Sequence, residues 1–200
     1  MTTTNETPPH GAGPPSAWVQ RWSHLVAPRG AVLDVACGHG RHARWFYERN
    51  HPVALVDLAQ AAIESIADAL PPNEGRAVDA VVADIENGPW PFEGRQFAAV
   101  VVTNYLWRPL MPTLLESLAP GGVLIYETFT QGNETVGKPS RPDFLLRPGE
   151  LLDVCVGLRV VAFEDGFEER AEGMAQRFVQ RIAAVREPAD RKELARYLLP

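Results

Sequence analysis

Between residues 32 and 41 the chain reads Val32-Leu33-Asp34-Val35-Ala36-Cys37-Gly38-His39-Gly40-Arg41. Apolar residues typical of a buried strand run into two closely spaced glycines, and a helical stretch follows. Gly38 and Gly40 let the backbone turn sharply and approach a ligand closely. The exposed N–H groups of a helix starting there favour a carboxylate or a phosphate. The spacing Gly38-x-Gly40-x-x-Ala43 also satisfies the dinucleotide fingerprint with alanine in its last place. On the turn alone, a dinucleotide and other adenosyl ligands remain open.

Acidic residues separate the two. Asp57 closes a second apolar run, where a carboxylate accepts from both hydroxyls of a ribose; either ligand has one. Asp34 lies inside the first run, which is unexpected for a dinucleotide turn. There it holds the glycine loop through backbone N–H groups or reaches the ammonium of an amino-acid tail. Asp84 closes a third run, placed to accept from an adenine amine while the N–H of Ile85 meets a ring nitrogen. A glycine turn and three carboxylates at successive strand ends suit an amino-acid tail, a ribose and an adenine. S-adenosylmethionine carries all three.

The elements that must position these residues alternate. Residues 31–36, 53–56, 78–83, 97–103 and 123–129 read as strands, near-continuously apolar as in a parallel sheet buried on both faces. Helices are expected from Arg41, with Ala43, Phe46 and Tyr47 on one face, over residues 59–70, with Ile63, Ile66 and Leu70 in register, and from Pro109 through Leu114, Leu115 and Leu118 to Pro120-Gly121-Gly122. Ser16 is expected to cap a short helix carrying Trp18 and Trp22, and Pro148 to open another ending at Cys155. Residues 158–163 and 177–185 read as closing strands, with Asp165-Gly166 and the charged stretch to Glu172 between them. Strands joined by so short a connection pair antiparallel, because a crossover needs more chain. The expectation is an α/β fold: a Rossmann-like, doubly wound, mostly parallel sheet of seven strands with one antiparallel strand near the edge. Residues 1–15, with four of the 18 prolines, read as a disordered tail, 16–187 as the domain, and 188–200 as a helical tail.

Leu33-Asp34-x-x-Cys37-Gly38-x-Gly40, Asp57, Asp84-Ile85, Thr103-Asn104-Tyr105 and Leu118-x-Pro120-Gly121-Gly122 together resemble class I S-adenosylmethionine-dependent methyltransferases. Cys37-Gly38-His39-Gly40-Arg41-His42 and Phe144-Leu145-Leu146-Arg147-Pro148-Gly149-Glu150-Leu151 look like the tellurite-resistance methyltransferase group within that class. The resemblance implies the strand order 3-2-1-4-5-7-6 with strand seven reversed, and a pairing of Arg41 with the cofactor carboxylate. Leu58, Thr103 and Asn104 complete the expected cofactor-binding set of Asp34, Gly38, Gly40, Arg41, Asp57, Asp84 and Ile85, with Tyr105 as the candidate catalytic residue.

Methyl transfer from a sulfonium is an in-line displacement, so a protein mainly supplies alignment and a dry pocket. A thiolate or chalcogen anion needs no general base. Substrate contacts are expected above the strand ends: Tyr105, Trp107 and Arg108 after one strand, Thr128 and Phe129 after the next, with residues 130–147 as a loop able to close over them. Trp18 and Trp22 either pack against the sheet or roof the pocket. Arg108 starts a helix or binds an anion. Glu127 is paired or acts as a base. Lys138, Arg141 and Arg147 against Glu134 and Asp143 make the long loop basic, either as a solvated surface or as a wall facing an anionic substrate. Cys37-x-His39-x-x-His42 has tempting spacing, but a metal there would occupy the cofactor loop, so none is expected.

The 200 residues bound one domain and are 46% apolar and 22% charged, a globular composition. With 19 Lys+Arg against 25 Asp+Glu the net charge is −6, a poor balance for gripping nucleic-acid phosphates. No run approaches the ~20 apolar residues of a membrane span, no signal peptide is evident, and two cysteines make no disulfide framework. The reading is a cytoplasmic enzyme that methylates a small molecule, with no nucleic-acid or membrane partner. The alternatives are methylation of RNA or protein, and a nicotinamide-dependent oxidoreductase or non-catalytic cofactor-binding protein.

Overall fold

The computed structural model describes residues 13–71, 75–169, 176–190 and 195–200. Among them, seven strands form one sheet: β1 (Val32–Val35), β2 (Val53–Asp57), β3 (Val78–Val82), β4 (Phe97–Thr103), β5 (Leu118–Phe129), β6 (Arg159–Glu168) and β7 (Arg177–Val185). Their order is β3-β2-β1-β4-β5-β7-β6. β1 pairs parallel with β2 and β4, β2 with β3, and β4 with β5. β7 runs antiparallel to both β5 and β6, so it is the one reversed strand. The helices are α1 (Ala17–Trp22), α2 (Arg41–Tyr47), α3 (Gln60–Ala69), α4 (Met111–Glu116) and α5 (Glu150–Val154).

Side chains alternate across a strand, and the buried residues divide accordingly. Val32, Leu55, Val101 and Ile125 pack with Trp18, Trp22, Phe46, Ile63 and Ile66 from α1, α2 and α3. Leu33, Val56, Val100, Val102 and Leu124 pack with Met111, Leu114 and Leu151 from α4 and α5. Covering both faces is what makes the inner strands read as continuous apolar runs.

Three sequence expectations change. Leu118 belongs to β5 rather than to the preceding helix, because glycine at 122 lets the chain pass the Phe97 carbonyl, which a Cβ would meet at 2.7 Å. Asp165 and Gly166 lie within β6, which continues to Glu168 in ladder with β7, so the connection falls later. Of the expected C-terminal helix over 188–200, residues 188–190 and 195–200 are not helical and 191–194 lie outside the described residues, as do residues 1–12 of the N-terminal tail.

Candidate cofactor crevice and acceptor hollows

β1 ends where the backbone leaves the sheet through unusual conformations: φ is +51° at Ala36, +53° at Gly38 and +67° at Gly40. Cys37 N–H still bonds to the Val56 carbonyl (3.1 Å), and Gly40 N–H closes the turn on the Cys37 carbonyl (2.9 Å). Gly40 then sits ahead of α2 as its cap residue. A Cβ there would stand 2.7 Å from Ile66 Cδ1 on α3, so close helix packing as well as φ requires glycine. On the neighbouring strand, Asn104 follows β4 at φ +55°. Left-handed non-glycine residues are costly and concentrate at ligand clamps; here two of them flank one crevice.

Asp57 holds the turn from the end of β2. Its Oδ2 accepts from Gly38 N–H (2.7 Å) and its Oδ1 from Ala59 N–H (2.9 Å). A carboxylate has about four acceptor sites, so both oxygens retain capacity for hydroxyl donors. Asp84 builds a similar turn after β3, accepting from the N–H groups of Glu86 and Asn87 and from the Asn87 side-chain amide, all at 3.0 Å. Those hydrogen bonds, the Asn87 amide first, hold its pKa below the ordinary aspartate value.

Two hollows meet between these turns. One, of about 330 Å³, is lined by Ala36, Gly38, Arg41, Asp57, Thr103 and Asn104. The other, of about 360 Å³, is lined by Asp57, Leu58, Asp84, Ile85, Glu86 and Tyr105. Ala36 and Asp57 border both, so they form one crevice along the C-terminal ends of β1 to β4, where open α/β sheets bind ligands.

The expected site residues therefore converge, with two exceptions. Asp34 does not reach the crevice: it is 2% exposed and accepts from Ala43 N–H in the first turn of α2 (3.0 Å). Burial raises its pKa to about 7, against the pull of that N–H and of Arg41. Its role is to seat α2. Gly40 acts through packing, as above. Arg41 borders the crevice and donates from Nη1 to the Pro14 carbonyl (3.2 Å).

Cys37, His39 and His42 do not converge: among the described residues no three His, Cys, Asp or Glu side chains are grouped to hold a metal ion. Cys37 is buried, which with Asp34 and Asp57 pushes its pKa up and keeps it a thiol. His42 is pushed down to about 3 by burial and then by Arg41, and its Nε2 accepts from Ser16 N–H (3.2 Å).

Two further hollows border the crevice at Asn104. One, of about 420 Å³, lies under the N-terminal segment and is lined by Trp18, Arg41, Glu127, Glu168, Arg177 and Arg181. Its acids and bases are mutually paired. Glu127 accepts from Ser16 Oγ (3.1 Å) and faces Arg177 (3.6 Å) and Arg181 (2.7 Å). The Arg181 Nε–H is aimed poorly for a hydrogen bond, so that contact is ionic. Glu168 accepts from Arg177 (2.5 Å) and Arg181 (2.6 Å). Glu127 is thus a paired carboxylate, and Trp18 and Trp22 are core residues, with Trp18 Nε1–H donating to the Ile182 carbonyl (3.2 Å).

The other, of about 430 Å³, is lined by Leu106, Phe129, Lys138, Pro139 and Phe144 and shares Glu86 and Tyr105 with the crevice. Tyr105 donates its hydroxyl to Glu86 Oε1 (3.2 Å), and burial, then Glu86, raises its pKa. Arg108 is turned away: its Nε and Nη2 donate to Glu150 (2.7 and 3.0 Å), and it also reaches the Asp143 and Leu145 carbonyls. Glu86 and Ala36 were not foreseen from the sequence. Ala36 carries no signal in its type, whereas Glu86 follows the Asp84-Ile85 pair directly.

Residues 32–122 match the family model described as a methyltransferase domain. In sequence alone, no curated protein matches the chain. In fold, the chain is similar to TehB from Haemophilus influenzae, with a TM-score of 0.68 at 16% identity over 82% of this chain and 60% of that one. It therefore spans about three-fifths of TehB. A SAM-dependent methyltransferase from Methanosarcina mazei aligns at a TM-score of 0.65 and 14% identity, over 88% and 99% of the two chains. The glycopeptide N-methyltransferase MtfA, complexed with S-adenosyl-L-homocysteine, aligns at 0.58 and 17%, over 87% and 90%. At such identities the likeness is one of fold. The family match runs from β1 into β5 and takes in both turns that shape the crevice, so it is residues 32–122 that carry the likeness to a methyltransferase domain.

Proposed function

We propose that the crevice between β1 and β4 binds S-adenosylmethionine and that the protein transfers its methyl group to a small-molecule acceptor, with thiols and chalcogen anions as the class that suits it. The observation that carries this reading is Asp57, which ties the Gly38 turn and separates two hollows of about 330 and 360 Å³. A ligand with an amino-acid tail on one side of a ribose and an adenine on the other matches that division. Arg41 and the Gly38 turn would face the tail, Asp57 the ribose hydroxyls, and Asp84, Ile85 and Leu58 the adenine. When bound, the cofactor supplies an electrophilic methyl group on a sulfonium sulfur.

The chain's own part is positioning and exclusion of water. Thr103, Asn104 and Tyr105 form the wall between the crevice and the flanking hollows. Tyr105, its pKa raised and its hydroxyl donated to Glu86, is a hydrogen-bonding wall rather than a proton acceptor. An acceptor that ionises near neutral pH, such as a thiol, would need no base from the chain. The net charge of −6 speaks against polyanionic acceptors, and no described helix is long and apolar enough to cross a membrane. Two buried free thiols suit a reducing compartment, and we place the enzyme in the cytoplasm.

Calorimetric titration with S-adenosylmethionine, with NADH in parallel, tests the cofactor. Micromolar binding of the first and none of the second is expected, and the reverse would move the protein to hydride transfer. Small thiols and chalcogen oxyanions are then screened for S-adenosylhomocysteine formation.

A further inference from the structure

We infer that the hollow of about 430 Å³ beneath Lys138 is the acceptor site and that it selects a compact, mainly apolar molecule carrying one anionic group. The inference rests on the methyltransferase reading and narrows it from small acceptors in general to an apolar acid.

Two hollows border the crevice where it meets Asn104, and their chemistry differs. In the hollow beneath α1, Arg177 and Arg181 are already matched by Glu127, Glu164 and Glu168. A charged acceptor there would have to displace ion pairs formed within the protein, at the desolvation cost such pairs carry. The hollow under the long loop has no such network. Leu106, Phe129, Pro139 and Phe144 give it apolar walls, with Phe144 left 40% exposed. Its volume falls within the range of small-molecule sites.

Two charged side chains line it, from different elements. Lys138 comes from the long loop and enters no ion pair or hydrogen bond among the described residues. Glu86 comes from the turn after β3, borders the crevice as well, and accepts from Tyr105. An anion is repelled from the Glu86 wall and drawn to Lys138. The acceptor therefore lies with its acidic group toward the loop, its apolar body against Phe129 and Phe144, and its reacting atom toward Asn104 and Tyr105. There the lone pair of that atom forms the new bond to carbon, the carbon–sulfur bond breaks toward sulfur, and any proton on the nucleophile passes to water. Inorganic oxyanions fit this arrangement poorly, since they leave the apolar walls without a partner.

The test uses the full chain with 4-mercaptobenzoate and its uncharged analogue 4-mercaptobenzamide, which share size and nucleophile. Binding of each is measured by calorimetry without cofactor, and kcat/KM by S-adenosylhomocysteine release with it. Wild type is expected to prefer the acid over the amide by about fivefold, the upper end for an exposed ion pair. Lys138→Ala should bring that ratio to near one, through KM rather than kcat, with S-adenosylmethionine affinity unchanged. Phe144→Ala should weaken both probes. Three outcomes overturn the inference: an acid/amide ratio unmoved by Lys138→Ala, neither probe binding, or a ratio that responds to Arg177→Gln instead. Failure of the methyltransferase reading is distinguishable, because the protein would then either not bind S-adenosylmethionine or bind it and release no S-adenosylhomocysteine with any acceptor, whereas probe binding and its response to Lys138→Ala are read without cofactor.

Discussion

Asp57 does two jobs with one carboxylate: it ties the Gly38 and Ala59 N–H groups and separates the two hollows of the crevice. Asp57→Ala orphans both donors, at about 2 kcal/mol of loop order. Spent at the cofactor site, that is roughly a 30-fold loss of affinity. Calorimetry should show S-adenosylmethionine binding weakened to that degree with far-UV circular dichroism unchanged, and Asp57→Asn should fall between. The crevice-lining residues Gly38, Asp57 and Asp84 were legible in the sequence because each stands at or just past a strand end, where the β–α register fixes it. Asp34 was left between backbone N–H groups and an ammonium, and the structure places it on the N–H of Ala43. A carboxylate inside a strand points to one face or the other, and spacing alone does not say that Ala43 N–H waits for it on the α2 side.

Residues 130–147, which read as a structureless loop, are held at several points. Thr130 bridges to Leu146, and Arg108 binds Glu150 and the Asp143 and Leu145 carbonyls. Glu150 also accepts from Arg147 N–H (2.7 Å). The segment is therefore tied down where Lys138, Pro139 and Phe144 line the hollow of about 430 Å³. Arg108→Ala leaves a nearly buried carboxylate without its main partner and should cost about 2 kcal/mol in urea denaturation. It should also speed proteolysis between residues 138 and 147, and Arg108→Lys should rescue little because the bidentate fork is lost. Sequence could not show this, since Arg108 and Glu150 stand 42 residues apart. A second element-level prediction concerns the charged edge of β6 and β7. Burial opposes ionisation of Glu168, but Arg177 and Arg181 outweigh it and lower its pKa from 4.5 to about 2. The folded value lies below the unfolded one, so this stabilisation is complete above the unfolded value and is lost as pH falls toward the folded one. Melting temperature should drop between about pH 5 and 2.5, and less so in Glu168→Gln.

At the scale of the molecule, the alternation of apolar runs and helical stretches was enough to give a doubly wound sheet with a reversed strand near its edge. The order of the strands came from the resemblance rather than from pattern. Both left the seat of α1 open between packing on the sheet and roofing the pocket. Trp18 and Trp22 share a face, and their burial against the sheet depends on partners such as the Ile182 carbonyl, 164 residues away. That placement has an optical consequence. Trp18 and Trp22 are 3% and 2% exposed, and no tryptophan lines either hollow of the crevice. Intrinsic emission should therefore shift to the red when the chain unfolds, yet stay nearly constant through a titration with S-adenosylmethionine. A marked spectral change on adding the cofactor would mean that α1 repacks when the crevice fills, and that the sheet and its N-terminal cover behave as one responsive unit.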